Sequence, residues 1–325
     1  MFNCHSRKYT LALTCIAPLF ATTLHAEDHN YGPLRSYAQS PIQSISLAPV
    51  LRSAKALPID YKEIYGSVTA ASVWADTDDY TLDYYHNQVE LGGKWVFSEK
   101  WLMDINYRWS FAADNHLDGL TESFHDLFGI DQNGREEVGR DQFTQNMTDY
   151  GLKNENFDGE TLSNSVNIYL ERKVYEKDKH SLSFGGGLFY NHVASGPFEG
   201  NSFDQNVQIN YTYSNEAHEI YSMLGLTHHS RDKLNDLLPM KSMTFSTAVG
   251  YRYQLFDNHQ ILAEYHLYDG YIDDSSDLSE ASHEALIGYR YLMENSAIEI
   301  FATENMVNMD NSTDISFTIG YRYQL

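Results

Sequence analysis

Few residues in this sequence could do chemistry, and the most suggestive pair is His228 with Ser230. The two lie two positions apart in an alternating apolar and polar stretch, so in a β-strand they point to the same face. An imidazole beside a hydroxyl can activate that oxygen as a nucleophile. The pair therefore suggests hydrolysis of an acyl lipid at a membrane rim. The alternative is that both are interfacial polar residues at a strand end.

A second group of candidates consists of charged residues at the inward positions of predicted strands: Glu90, Lys94, Asp104, Arg108, Arg252, Glu264, Arg290, Glu299 and Arg322. Three of the arginines lie in a repeated Gly-Tyr-Arg-Tyr phrase, so we expect them at one depth near a mouth of the lumen. They predict either a basic constriction that selects anions or holds an acidic head group, or an ion-pair network with Glu63, Glu264 and Glu299 that makes the barrel rigid.

Metal and cofactor chemistry has little support in the sequence. Cys4 and Cys15, the only cysteines, both lie in the first 26 residues, and none of the 14 histidines form a set with metal-ligand spacing. Asp131, Asn133 and Gly134 resemble part of a calcium loop but lack the full ligand pattern and its closing Glu. A glycine-rich nucleotide loop is also missing. We therefore expect no metal site and no cofactor.

Strands of period two must position the charged residues. In the last predicted strand, one face carries apolar and aromatic residues and the other carries polar ones: Ile315, Phe317, Ile319, Tyr321, Tyr323 and Leu325 against Ser316, Thr318, Gly320, Arg322 and Gln324. Twelve such segments are predicted, near 61–76, 80–97, 101–111, 162–175, 180–193, 204–214, 217–229, 241–255, 259–271, 281–292, 296–305 and 312–325. Short turns fall on one side and the longer loops on the other, as in a transmembrane antiparallel up-and-down β-barrel of the all-β class.

The chain before the strands divides into two parts. Residues 1–26 have the pattern of a secretory signal peptide: Arg7 and Lys8, an apolar stretch, and the small residue Ala26 before the cleavage point. Residues 27–60 contain four of the seven prolines and therefore predict an irregular segment. Its aliphatic residues suggest that it fills the lumen or covers its periplasmic mouth as a plug. Residues 61–325 form the predicted outer-membrane barrel.

The loop over residues 112–161 is far longer than ordinary loops. Apolar residues recur in it at helical spacing, which predicts a short helix that ends near Gly129: Leu117, Leu120, Phe124, Leu127 and Phe128. Such a helix would fold into the barrel mouth, lie on the outer leaflet, or pack as a cap on neighbouring loops.

The end of the chain resembles the C-terminal signal that the outer-membrane assembly machinery reads. The positions of that signal are filled by Thr318, Gly320, Tyr323 and Leu325. A terminal Phe is commoner than Leu at the last position. The resemblance implies that the assembly machinery and outer-membrane lipid are partners of this chain.

Three further stretches resemble a family of Gram-negative outer-membrane proteins, domain of unknown function 3187. These stretches are Gly32-Pro-Leu-Arg35 with Ser40-Pro41 and Leu57-Pro58, the loop from His116 to Gly129 followed by Asn133-Gly-Arg135, and Leu278-Ser-Glu-Ala-Ser-His-Glu284 with Glu304-Asn305 through Asp310-Asn-Ser-Thr-Asp314. The resemblance covers most of the chain after the signal peptide. It implies a barrel in the outer membrane and brings no activity or ligand.

The net charge of the chain argues against nucleic-acid binding. The formal charge is −23, and it becomes −25 once the signal peptide with Arg7 and Lys8 is removed. Such a surface repels nucleic acid.

Twelve strands lie between a filled eight-stranded barrel and a sixteen-stranded aqueous channel. The sequence therefore predicts a narrow channel or binding barrel for a small or amphiphilic molecule. The lipid hydrolase and a structural or surface-interaction barrel remain as alternatives.

Overall fold

The computed structural model describes residues 31–117, 142–311 and 313–325. The predicted signal peptide, the loop helix up to Gly129 and the calcium-like stretch from Asp131 lie outside these residues, apart from Leu117. Within the described ranges, no helix has the length and apolar character needed to cross a membrane. The same ranges contain no cluster of three or more His, Cys, Asp or Glu arranged to hold a metal ion.

Twelve antiparallel strands form one closed barrel, as predicted. In chain order they are β1 Lys62–Asp76, β2 Tyr80–Ser98, β3 Trp101–Ala112, β4 Thr161–Lys177, β5 His180–Val193, β6 Gly200–Asn215, β7 His218–His228, β8 Met243–Phe256, β9 His259–Tyr268, β10 Ser282–Leu292, β11 Ser296–Val307 and β12 Ile315–Gln324. Each strand pairs with its neighbours in the chain, and β1 pairs with both β2 and β12. The sheet therefore closes on itself and leaves no edge.

The two ends of the barrel differ in their connections. At one end, here called the turn end, the strands are joined by residues 99–100, 178–179, 216–217, 257–258 and 293–295. At the opposite loop end the connections are longer, except for the three residues 77–79 between β1 and β2. Part of the long connection after β3 is itself ordered, because a hairpin of Thr144–Met147 and Leu152–Glu155 pairs with β2.

The alternation in each strand separates an apolar outer face from a polar inner face. On β12, Ile319 and Tyr321 point outward and are 59% and 47% exposed, whereas Thr318 and Arg322 are almost completely buried. The other strands repeat this pattern around the whole barrel. A continuous belt of exposed apolar side chains is costly in water and is typical of a surface that contacts lipid.

Three histidine–tyrosine pairs decorate the outer face at the turn end. Strands β5, β7 and β9 each begin with an exposed histidine, whose ring nitrogen lies 2.5–2.7 Å from a tyrosine hydroxyl on the next strand: His180 with Tyr211, His218 with Tyr251, and His259 with Tyr289. Aromatic rings with a polar tip prefer the boundary between lipid and water. The repeated tyrosines of the Gly-Tyr-Arg-Tyr phrase therefore belong to an aromatic girdle at this end.

The loop end is closed by an apolar cluster that the barrel and its loops build together. The members, all buried, include Val73, Tyr80, Leu82, Phe143, Leu152, Phe157, Phe198, Leu234, Leu238, Tyr271, Ile272 and Leu278. Ile42 and Ile45, from the segment before β1, belong to the same cluster. The lumen is therefore covered at this end by hydrophobic packing.

Candidate functional site

Residues 31–57, here called the inner segment, run through the lumen twice. The segment starts at the turn end, rises to a short 3-10 turn at Gln43–Ile45 near the loop end, and returns to the turn end before β1. Every residue from Tyr31 to Leu51 is buried except Ala48, which is partly exposed. Residues 31–40 form the first pass and residues 47–57 the second.

Charged side chains of the wall hold the backbone of the first pass. The guanidinium of Arg290 donates hydrogen bonds to the carbonyl oxygens of Gly32 and Pro33, at 2.9 and 3.0 Å. The carboxylate of Glu264 accepts a hydrogen bond of 2.7 Å from the backbone N–H of Leu34. Hydrogen bonds that involve a charged group are the stronger kind, so the wall fixes the start of the segment firmly.

Further up, Glu284 accepts hydrogen bonds from the backbone N–H groups of Gln39 and Ser40, at 2.7 and 3.2 Å. Arg108 donates to the carbonyl oxygen of Ser46 at 3.4 Å, and Asn191 donates to that of Ile45 at 3.2 Å. The turn near the loop end is therefore bonded to the wall on several sides.

Both charged and uncharged side chains of the wall hold the backbone of the second pass. Three of these partners lie on β6: Asp204 for the N–H of Leu47, Gln208 for the carbonyl of Val50, and Thr212 for the N–H of Ala54, at 3.1, 3.0 and 2.9 Å. The fourth is Glu176 on β4, which accepts from the N–H of Ala56 at 3.1 Å. Buried backbone groups need such partners. Side chains of the wall thus replace the hydrogen-bond ladder that a strand would have supplied.

Two glycines of the wall leave space that apolar side chains of the inner segment occupy. Such a space is here called a seat. A Cβ atom at Gly288 would lie 2.8 Å from Leu34, and one at Gly250 would lie 2.8 Å from Leu51. Both glycines belong to the repeated Gly-Tyr-Arg-Tyr phrase. At the third copy, Gly320, the nearest atom to such a Cβ is 3.7 Å away, so no seat is formed there. Sequence reasoning noticed the repeat but not this role.

The three arginines of the phrase lie at the turn end, and each forms an ion pair with a wall carboxylate. Arg322 contacts Glu63 at 2.7 Å and Glu299 at 3.2 Å, and Arg290 contacts Glu299 at 2.6 Å. Arg252 pairs with Glu219 at 3.2 Å. Glu63 and Glu299 were among the expected partners, and Glu219 was not.

The third expected partner, Glu264, behaves differently. Besides Leu34 it contacts the buried ring of His266, at 2.8 Å. Glu264 lies on β9, between β8 and β10, and its carboxylate binds the inner segment through the N–H of Leu34. The sequence could not show this, because the position of the inner segment was unknown.

Another ion-pair cluster joins the wall to the inner segment. Asp104 contacts Arg35 at 3.1 Å and Arg52 at 2.6 Å, so one carboxylate connects the first and the second pass. Arg35 also contacts Glu90 at 3.0 Å. Lys94 points to Glu63 at 3.4 Å. Arg35 and Arg52 were missed as site residues, because the irregular segment offered no periodicity from which to read an inward face.

The buried phenol of Tyr37 completes this cluster. Its hydroxyl donates a hydrogen bond to Glu90, and its ring lies 4.4 Å from the guanidinium carbon of Arg108. Burial raises the pKa of Tyr37 above its ordinary value, and the nearby charge of Glu90 raises it further while Arg35 lowers it. The phenol therefore stays neutral and acts as a donor.

The wall formed by β4, β5 and β6 is lined mainly by small uncharged polar side chains. Those that are buried include Ser163, Ser165, Asn167, Ser181, Ser183, Asn191, Ser202, Asn206, Gln208, Asn210 and Thr212. Several polar atoms on this side have no hydrogen-bond partner among the described residues: both amide atoms of Asn106, Oδ1 of Asn167 and of Asn206, Oε1 of Gln88 and Oγ of Ser110. The inner segment therefore covers a polar surface that it satisfies only in part.

The residues of the hydrolase hypothesis lie at the loop-end rim of β7. His228 and Ser230 are both exposed on the outer face, as their spacing predicted. The hydroxyl of Ser230 accepts a hydrogen bond of 2.7 Å from the N–H of Phe203. The histidine with an acidic neighbour is instead His229, which points inward, 3.2 Å from Asp204.

The proposed assembly-signal residues lie along β12. Thr318 faces the lumen, where its hydroxyl is 2.8 Å from that of Thr69 on β1. Gly320 pairs with Ser67 across the same seam. Tyr323 lies on the outer face at the turn end, and Leu325 follows β12 with 72% of its surface exposed.

Two solved structures are similar to this chain at low identity, and the first shows the same fold. The COG4313 outer membrane channel from Pseudomonas putida F1 is 8% identical and has a TM-score of 0.54, over 84% of this chain and 98% of that one. The KdgM porin in complex with disordered oligogalacturonate is also 8% identical, with a TM-score of 0.45 over 81% of this chain and 99% of that one. No curated protein matches the sequence significantly.

A family model, described as a protein of unknown function and designated DUF3187, matches residues 8–325. The match covers nearly the whole chain, including the inner segment and all twelve strands. It confirms the resemblance that the opening segment, the long loop and the C-terminal third indicated. The chain therefore belongs to the DUF3187 family.

Proposed function

We propose that this chain is a channel of the outer membrane for a small polar or amphiphilic molecule, and that residues 31–57 are its plug. In this proposal the described arrangement corresponds to a closed form. The observation that carries the proposal is the mainly uncharged polar wall of β4–β6, together with Asn106 on β3. A wall that served only as a socket for the plug would match the hydrogen-bonding groups of the plug. This wall keeps spare amide and hydroxyl groups, which suit water and polar solutes.

The apolar outer belt and the aromatic girdle support placement in a membrane. We further propose that residues 1–26 direct export and are removed. The assembly machinery then inserts the barrel by reading the last strand, with outer-membrane lipid around the belt. In this orientation the turn end faces the periplasm, because short turns lie on that side in outer-membrane barrels.

The width of the pathway follows from what now occupies it. Two extended passes of chain lie side by side in the lumen, and neighbouring extended chains are about 5 Å apart. Displacing both passes would therefore open a path on the order of 10 Å across. That width suits a small solute and excludes a folded protein.

Deleting residues 31–57 tests the proposal. We expect the deletion variant to show a higher single-channel conductance in planar bilayers than the intact chain, because the lumen loses its contents. The measurement needs evidence that the variant is folded, for which retention of the compact form on unheated gels is suitable. Equal conductance for two folded proteins would contradict the proposal.

The hydrolase alternative has its own readout. We expect the purified intact chain to release no fatty acid from phospholipid micelles. Acyl release that disappears in Ser230→Ala and persists in Ser195→Ala, a change at another loop-end serine, would instead favour a lipid hydrolase.

A further inference from the structure

A small cavity lies between the two passes of the inner segment at the turn end. Its volume is about 40 Å³. Both passes and the wall contribute to its lining, which includes Pro33, Arg35, Arg52, Lys55, Lys94, Glu171 and Arg322. A site for one water needs roughly 10–15 Å³ on this measure. The cavity therefore has room for a small ion with or without water, and not for a sugar.

The charged side chains that line this cavity are mostly positive. Five are cationic, Arg35, Arg52, Lys55, Lys94 and Arg322, and one is a carboxylate, Glu171. The carboxylates that pair with these cations lie in the wall behind them and do not line the cavity. The cavity is therefore lined mainly by cationic groups, although the whole chain carries a charge of −23.

Two buried donors at this cavity are left without an acceptor. The Nε atoms of Arg35 and Arg52 have no hydrogen-bond partner among the described residues, and the two side chains are 8% and 7% exposed as residues. Nη1 of each arginine binds Asp104, and Nη2 of Arg35 binds Glu90. An unsatisfied donor on a buried charged group lowers the stability of the folded state, so an acceptor in the cavity would be favoured.

We infer that this cavity binds a small inorganic anion such as chloride. Arg35 belongs to the first pass and Arg52 to the second, so an anion that accepts hydrogen bonds from both Nε groups would add a second link between the passes beside Asp104. Water would fill the same volume, but its hydrogen bonds to these charged donors would be weaker than those of an anion. The bound anion would thereby hold the two passes together. This inference concerns the closed form and does not depend on whether the barrel conducts.

Thermal unfolding of the intact chain in detergent tests the inference, with bromide as the probe. Bromide replaces gluconate at constant ionic strength, since gluconate is too large for the cavity. We expect a saturable rise in the unfolding temperature, because a ligand of the folded state stabilises it as its concentration exceeds its Kd. Equal unfolding temperatures in bromide and gluconate, or a rise without saturation, would overturn the inference.

Arg52→Gln removes one of the two donors and one positive charge. We expect it to weaken the bromide effect at least tenfold in apparent Kd. The matched control is Arg172→Gln, since Arg172 is an exposed arginine on the outer face of β4. An equal bromide response in the two variants would overturn the inference.

The unaltered chain provides a second measurement if Arg52→Gln does not fold. In crystals grown with bromide, we expect an anomalous peak in the cavity within hydrogen-bonding distance of both arginines. A cavity that holds only water at high bromide concentration would overturn the inference. None of these measurements uses conductance. The anion inference can therefore fail while the channel proposal stands, and the channel proposal can fail while the anion inference stands.

Discussion

Replacing Glu299 by Gln is expected to lower the free energy of unfolding by about 3–5 kcal/mol, the range for breaking a buried ion pair. Glu299 is 1% exposed and is the wall carboxylate shared by Arg290 and Arg322. Arg322 would keep Glu63, but Arg290 would keep only neutral oxygen partners, among them the carbonyls of Gly32 and Pro33. A buried guanidinium would lose its counter-charge.

Urea unfolding of the barrel in lipid vesicles, followed by tryptophan fluorescence, measures this loss. Glu294→Gln is the matched control. It is the same chemical change five residues from Glu299, at a residue that is exposed in the turn before β11. We expect the control to lie within about 0.5 kcal/mol of the unaltered chain. A loss below 1 kcal/mol for Glu299→Gln would show that the network contributes little to stability.

If the chain is the proposed channel, Gly288→Ala is expected to raise its open probability and to destabilise the form with the filled lumen by about 1–3 kcal/mol, the usual cost of overpacking. The new methyl group would lie 2.8 Å from Leu34 and 3.0 Å from the Cβ of Phe301. Leu34 can move away only by leaving its seat, whereas Phe301 is fixed on β11. The substitution therefore acts on the first pass of the inner segment.

Gly320→Ala is the control for this experiment. It makes the same change in the same phrase, and its methyl group would meet nothing closer than 3.7 Å. Single-channel recordings in planar bilayers should show more frequent openings for the Gly288 variant and unchanged behaviour for the Gly320 variant. Identical records for the two would contradict the assignment of the glycine as a seat for the plug.

The strands could be predicted because one face of each meets a different environment from the other. In β12 the alternation of Ile319 and Tyr321 with Thr318 and Arg322 reports that difference directly. The turn-end connections could be located for the same reason, since the alternation stops at residues 257–258 and resumes at once. A closed barrel then follows from an even set of strands with short turns on one side.

The interior could be predicted only by residue type. Arg290 and Glu299 were expected to face inward and to be candidates for one network, and they lie 2.6 Å apart. Arg290 also donates hydrogen bonds to the carbonyl groups of Gly32 and Pro33. These two residues lie in a segment without periodic alternation of apolar and polar residues. Sequence patterns report which face of a strand is covered, but not which irregular segment covers it.

The loop-end cluster illustrates a second limit. Phe143, Phe198 and Leu238 come from three connections far apart in the chain, and they pack with Tyr80 and Leu82 of β2. None of these three residues lies in a periodic stretch of its connection that would reveal its partners. Their contact depends on the barrel having already brought the strand ends together.

The pairing of β1 with β12 also determines when the inner segment can complete its contacts with the wall. Residues 31–57 come before β1 in the chain, yet their partners include Glu90 on β2, Thr212 on β6 and Arg322 on β12. The last of these arrives only when the final strand docks against β1. The inner segment therefore cannot complete its contacts before the wall closes, and filling the lumen is coupled to the docking of the final strand.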